Sequence, residues 1–225
     1  MTSAVGVVLA GGRSSRMGAA KAAVAWEGTT LLLRAIDALA PALGRIVVVL
    51  APGQRALVLS RDVTLVEDDH PGRGPLEGML AGLRALGPGD GPAFVCAVDM
   101  PFVGAAFARA VLAALPPGAD AAVPRLDGRA HPLAAAYRPA VTDRVAALLD
   151  AGERRVGALL EGITVAWLDA RALPGGGLSL RNVNTPADVA AAAQSMREKA
   201  TGTPAAAPPG GTIASAVAPA REVMA

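Results

Sequence analysis

The sequence predicts a doubly wound, mostly parallel α/β domain, and three observations carry that expectation. Short continuous apolar runs recur at 5–9, 46–50 and 94–98, and 63–66 and 119–124 also read as strands. Runs of that length, β-branched and uncharged, read as strands buried on both faces of a sheet. Between them lie longer stretches with apolar residues at helical spacing, at 31–43, 76–86, 102–115 and 141–149. Glycine and charge gather where the apolar runs end, which is where open α/β sheets bind their ligands.

Each element has its own signal. The run 5–9 breaks into Ala10-Gly11-Gly12, then Arg13, Arg16, Gly18 and Lys21. Residues 22–26 continue as a short apolar stretch, and Glu27-Gly28 turns it. Thr29 or Thr30 can cap the helix 31–43, which Gly44 closes. Pro52-Gly53 ends the second strand, and the third closes on Glu67-Asp68-Asp69-His70. The loop Gly72-Arg73-Gly74-Pro75 feeds the helix 76–86. The fourth strand leads into Asp99-Met100-Pro101, where proline stops the ladder. Residues 125–129 make a hairpin turn, and 131–137 the returning strand. A short helix at 156–160 and a late strand at 164–168 follow. Thr185 caps the helix 187–196, with Pro186 at its first position.

Composition sets the class. With 225 residues and 52% hydrophobic content there is ample material for one core. Aromatics are only 3%, so the core is aliphatic and Ala-rich. The net charge is +2, and no basic block carries interleaved aromatics, which argues against nucleic acid as a partner. The single cysteine, Cys96, cannot form an internal disulfide and suits a reducing compartment. Neither a signal peptide nor a membrane-spanning run is visible, so the expectation is a cytoplasmic protein without a membrane partner. Residues 1–199 read as one domain and 200–225 as a disordered Ala/Pro/Gly-rich tail.

The candidate chemistry is phosphate chemistry. A buried strand opening into a Gly-rich basic loop offers backbone amides and cations to phosphate oxygens. It is neither a P-loop nor a dinucleotide fingerprint, because Lys21 lies three residues past Gly18 and Ala22 follows. Only Lys21 and Lys199 are lysines among the 21 basic residues, so a compact point charge at position 21 stands out. The start of the helix at 76 is a second position that favours anions. Asp99, at a strand end, suits Mg²⁺, which takes one or two carboxylates and fills its octahedron with water and phosphate. It also suits a helix N-cap. No Ser/His/Asp set serves acyl transfer and no Cys/His set serves zinc.

These residues resemble a known family. Leu9-Ala10-Gly11-Gly12-x-x-x-Arg16-Met17-Gly18 with Lys21 resembles the nucleotide-binding signature of nucleotidyltransferases with the nucleotide-diphospho-sugar transferase fold. Gly74-Pro75-Leu76-x-Gly78, Asp99-x-Pro101, His131-Pro132, Ala151-Gly152-Glu153-Arg154-Arg155-Val156 and Asn182-Val183-Asn184-Thr185-Pro186 together resemble molybdenum cofactor guanylyltransferases. The likeness runs from about Val5 to Ala193. It implies a Rossmann-like nucleotide-binding half and transfer of GMP from GTP to a molybdopterin-type cofactor, with hand-over to molybdoenzymes or their chaperones. It further implies that Leu9, Ala10, Gly11 and Gly12 hold the nucleotide, and that Arg16 and Lys21 bind its phosphates. Asp68 would contact the guanosine part and Asp99 would bind Mg²⁺. Asn182 and Asn184 would lie near the pterin phosphate or a second metal position. Two departures stand out: Ala20 replaces an acidic residue before the lysine, and Leu50-Ala51-Pro52 lacks an Asn that the family often carries. A cytidylyl or sugar-phosphate relative, or a domain that binds cofactor without turnover, are the alternatives.

Overall fold

A continuous apolar strand can be buried only if both faces of its sheet are covered, and the fold follows from that need. The computed structural model describes residues 3–11, 21–54, 63–68, 70 and 72–200. Its strands are β1 (Val5–Leu9), β2 (Ala25–Trp26), β3 (Thr29–Thr30), β4 (Arg45–Leu50), β5 (Val63–Glu67), β6 (Ala93–Ala97), β7 (Ala121–Leu126), β8 (Arg129–Ala130), β9 (Ala134–Tyr137) and β10 (Val165–Asp169). Its α-helices are α1 (Leu31–Leu39), α2 (Pro75–Arg84), α3 (Ala105–Ala113), α4 (Thr142–Asp150), α5 (Val156–Leu160) and α6 (Pro186–Ala200). The main sheet runs β10-β7-β9-β6-β1-β4-β5, with β8 paired to β7. β2 and β3 form a separate hairpin, turned at Glu27-Gly28 with positive φ at both positions.

β1 lies between β6 and β4 and is parallel to both, with Val5 opposite Ala93 and Arg45. β9 is the reversed strand, antiparallel to β6 on one side and β7 on the other. Two apolar layers flank the sheet. Residues of α1, α3 and α6 pack on one face with Val8, Val48 and Phe94. Residues of α2, α4 and α5 pack on the other with Val7, Val47 and Val95. Alternate residues of each strand thus feed opposite layers, as the pleat requires. Phe94 and Phe107 meet edge to face at 6.3 Å between ring centroids, tying α3 to β6.

The helices are shorter than their apolar periodicity. Pro41 lacks an N–H, so the helix expected over 31–43 ends at Leu39 and tightens into a 3₁₀ turn at Ala40–Ala42. The helix expected from 102 begins at Ala105, because residues 98–103 are spent on consecutive turns. The returning strand expected from 131 begins at Ala134, after a turn closed by Ala134 N donating to His131 O. The helix at the C-terminus runs longer than expected, to Ala200. Residues 201–225, the expected tail, lie outside the described residues, as do Gly12, Arg13, Arg16, Gly18 and Asp69. Among the described residues no helix is long and apolar enough to cross a membrane.

Gly82 shows how closely α2 lies on the sheet. A Cβ there would stand 2.3 Å from Val7 Cγ1 and 3.2 Å from Val49 Cγ2. Both are stiff β-branched side chains in buried strands. Gly82→Ala should therefore destabilise by about 1–2 kcal/mol, the overpacking cost exceeding the roughly 1 kcal/mol gained in helix propensity. Thermal unfolding of the two proteins checks this; a stabilised variant would mean α2 can lift from β1 freely.

Candidate active site

Parallel neighbours end on the same edge, so β1, β4 and β6 release their chains side by side. Val98 N donates to Leu9 O at 3.1 Å, and Ala10 N to Val49 O at 2.8 Å. Leu9 and Ala10 are buried at this edge, and Gly11 follows. A Cβ on Gly11 would sit 3.0 Å from Ala51 N and 3.2 Å from the Leu50 carbonyl carbon, so the loop passes close to the exit of β4 and any side chain there would push that backbone aside. Gln54 ties the two exits together. Its Oε1 accepts from Ala51 N at 3.2 Å, and its Nε2 donates to Ala10 O at 3.3 Å. Sequence reasoning missed Gln54, whose signal is a lone polar residue after Pro52-Gly53. It brings a carboxamide back against 50–52, where the expected Asn is missing.

Asp99 is only 4% exposed, and a carboxylate buried to that degree needs compensating charge. Lys21, on a single 3₁₀ turn at Lys21–Ala23, ion-pairs with Oδ2. Asn182 Nδ2 donates to Oδ1 at 3.5 Å, and Val183 N donates to the Asp99 carbonyl at 2.8 Å. Asp99 is thus not a helix cap; Gly104 precedes α3. Of the expected site residues, Lys21, Asp99 and Asn182 meet directly, with Leu9, Ala10 and Gly11 on the adjoining strand exit. Cys96, on β6 three residues before Asp99, is buried. Burial, and then the charge of Asp99, push its thiol up to about 12, so it stays protonated and is no nucleophile.

Asp68 leaves β5 at the same edge, its N–H donating to Leu50 O at 2.8 Å. Its Oδ1 accepts from His70 N at 2.9 Å, an Asx turn that shapes the loop. Asn184 is not drawn to Asp99. Its N–H and that of Thr185 donate to Asp188 Oδ2 at 2.9 and 3.0 Å, while Thr185 Oγ1 accepts from Asp188 N. That reciprocal cap starts α6 as expected.

The first turn of α2 contributes a second polar group. Gly74, with φ +84°, allows the sharp entry to Pro75. Glu77 is 5% exposed; His70 Nδ1 is 2.9 Å from its Oε1, and Oε2 has no hydrogen-bond partner among the described residues. The loop before α2 lies against the Arg154 carbonyl, 3.5 Å from a Cβ placed on Gly74. Glu153 holds that neighbouring segment: its Oε1 accepts from Arg154 N and Arg155 N, and Arg155 Nη2 donates to its Oε2 at 2.7 Å.

No group of three His, Cys, Asp or Glu side chains is placed to hold a metal among the described residues. One buried carboxylate beside a carboxamide fits Mg²⁺ only when phosphate oxygens and water complete the shell. Glycine loop, lysine and buried carboxylate at the carboxyl edge of such a sheet are the parts of a nucleotidyltransferase. Residues 6–165 match the family described as MobA-like NTP transferase domain, and the chain belongs to that family. It is 39% identical over 199 residues to a protein named probable molybdenum cofactor guanylyltransferase from Mycobacterium bovis, over 85% of this chain and 94% of that one. The solved molybdopterin-guanine dinucleotide biosynthesis protein A from Archaeoglobus fulgidus is similar at TM-score 0.71 and 28% identity, over 86% and 99% of the two chains. A 2-C-methyl-D-erythritol 4-phosphate cytidylyltransferase from Thermus thermophilus shares the fold at TM-score 0.66 and 21% identity, over 88% and 100%.

The clamp at Glu153 has a pH signature. The guanidinium of Arg155, and then the backbone N–H groups, hold its carboxyl well below 4.5, at about 2. Its folded value is depressed, so its contribution is present above pH 4.5 and is lost as pH falls toward 2. Melting temperature against pH should drop less steeply over that window in Glu153→Gln than in the parent. Identical slopes would show that the clamp does not form in solution.

Proposed function

We propose that the chain transfers GMP from GTP to the terminal phosphate of a molybdenum–molybdopterin cofactor, releasing pyrophosphate. The observation that carries this reading is the convergence of Lys21, Asp99 and Asn182 beside the glycine loop. The relatives' names supply the choice of substrates. Leu9, Ala10, Gly11 and Gly12 hold the nucleotide, with Arg16 and Lys21 on its phosphates and Asp68 toward the guanosine. Asp99 holds Mg²⁺, Asn182 supporting it; when bound, the ion neutralises charge on the phosphates. Asn184 stands on the acceptor side. The reaction belongs in the cytoplasm, and its product passes to molybdoenzymes or their chaperones.

The chemistry asks little proton transfer of the protein. An anionic oxygen of the acceptor phosphate forms a bond to the α-phosphorus. The bond to the α–β bridging oxygen breaks, and its electron pair leaves with pyrophosphate. The nucleophile is already charged, so no general base is needed and catalysis is positioning plus charge stabilisation. Lys21 has two partners to choose from. Without nucleotide it neutralises Asp99; with triphosphate bound it would turn to the phosphate oxygens, and Asp99 would be free to hold Mg²⁺.

The deciding measurement is pyrophosphate release with Mg²⁺ and molybdopterin-type cofactor, GTP against CTP. Release with GTP alone is expected; release with CTP alone would move the chain to a cytidylyl relative. Asp99→Asn, which keeps the shape of the side chain, should lower turnover by about a hundredfold or more while the protein still melts cooperatively. Lys21→Ala should weaken triphosphate binding roughly tenfold or more, the loss of a charge-assisted hydrogen bond. Normal activity in either variant would remove that residue from the mechanism.

A further inference from the structure

Asp99 has two sides. On one, β1 and β4 carry the glycine loop and Gln54. On the other, β9 runs antiparallel to β6, with Cys96 opposite Ala134 and Ala97 N donating to Leu133 O at 3.2 Å. Two residues beyond that bond lie Asp99 on one chain and His131 on the other, and there both chains turn. Met100 N donates to Ala97 O, and Ala134 N to His131 O at 3.1 Å. β7 fixes His131 from the far side, Pro124 O accepting from His131 N at 2.9 Å. The single tyrosine of the chain pins the same turn. Tyr137 is fully buried and donates its hydroxyl hydrogen to Pro132 O at 2.8 Å.

A half-buried histidine is therefore presented by a rigid turn at the carboxyl edge of the sheet. Its ring nitrogens have no hydrogen-bond partner among the described residues. They leave a donor and an acceptor for a ligand at this edge. Burial, and then the charge of Arg129, lower its pKa from the usual 6.5, so the ring is neutral at pH 7.

We propose that His131 binds the acceptor's terminal phosphate, donating one ring N–H to a phosphate oxygen on the side of Asp99 away from the nucleotide loop. The proposal rests on the nucleotidyl-transfer reading given above. A neutral donor fixes the phosphate in line with the α-phosphorus without cancelling the charge that makes it a nucleophile. The nucleotide and the acceptor then meet over Asp99 from opposite sides, held by different strands.

The test compares the full chain with His131→Ala and His131→Gln at saturating GTP, the molybdopterin-type cofactor being varied and pyrophosphate followed. In His131→Ala the KM for the acceptor should rise roughly ten- to hundredfold, the factor that one hydrogen bond to a charged group represents. The KM for GTP should stay at the parent value. His131→Gln, which keeps an N–H donor, should recover part of the loss, and melting temperatures show whether the turn has survived. Calorimetric titration of the acceptor into each protein should rank them the same way. Equal acceptor affinity in parent and His131→Ala overturns the proposal, and so does an equal loss of GTP affinity. If the parent itself releases no pyrophosphate, the guanylyl-transfer reading falls instead, and calorimetry still decides the role of His131.

Discussion

A carboxylate in a protein interior costs several kcal/mol unless opposite charge and hydrogen bonds surround it, and in this chain Asp99 imposes that cost. The remedy comes from two distant places. Lys21 arrives from the loop after β1, 78 residues earlier, and Asn182 from a segment 83 residues later. The backbone of that later segment adds a bond to the Asp99 carbonyl. The Lys21 contact requires β1 and β6 to be neighbours in register, so there the architecture of the sheet and the electrostatics of the site impose one requirement.

The same edge gathers a second set of groups with no covalent proximity. The loop ahead of α2 leans on the Arg154 carbonyl, and Glu153 organises the backbone around it. His70 and Glu77 meet nearby, and Gln54 bridges the exits of β1 and β4. None of these groups lies in the middle of a helix or a strand. The helices cover the two apolar faces and the strands end at one level, leaving the connecting turns to carry polar atoms. A sheet buried on both faces leaves little room for chemistry anywhere else.

Much of this was legible beforehand, and the reason is physical. Parallel strands buried on both sides read as uninterrupted apolar runs, and all five expected strands form, although β5, at the edge of the sheet, leaves Leu65 exposed instead of burying both faces. Elements that end through a local rule were also readable: Thr185 caps α6, and the Asp127-Gly128 turn joins β7 to β8 with positive φ at both residues. Boundaries were harder. Periodicity carries past Pro41 because side chains keep their spacing when the backbone hydrogen bonds change. The start of α3 shifts because the turns after Asp99 use up apolar residues that would otherwise read as helix. Gln54, Glu77 and Tyr137 were invisible as polar anchors, since each acquires meaning only from a partner that folding brings near. The family likeness suggested Asn182 near the pterin phosphate or a second metal position but could not say that its carboxamide donates to Asp99.

The bond from Val183 N to the Asp99 carbonyl has a bearing on the order of events during synthesis. Asp99, Lys21 and the whole glycine loop leave the ribosome long before Asn182 does. Until about the last tenth of the domain emerges, the carboxylate lacks its Asn182 partner and the Asp99 carbonyl its bond from Val183 N, and α6 is not there to cover Val8 and Val48. Closing so long a loop is entropically slow, so this contact belongs among the late steps of folding. A chain stopped short of residue 182 would carry the nucleotide loop and its lysine and still lack a finished site. Competence for catalysis and completion of the chain therefore coincide.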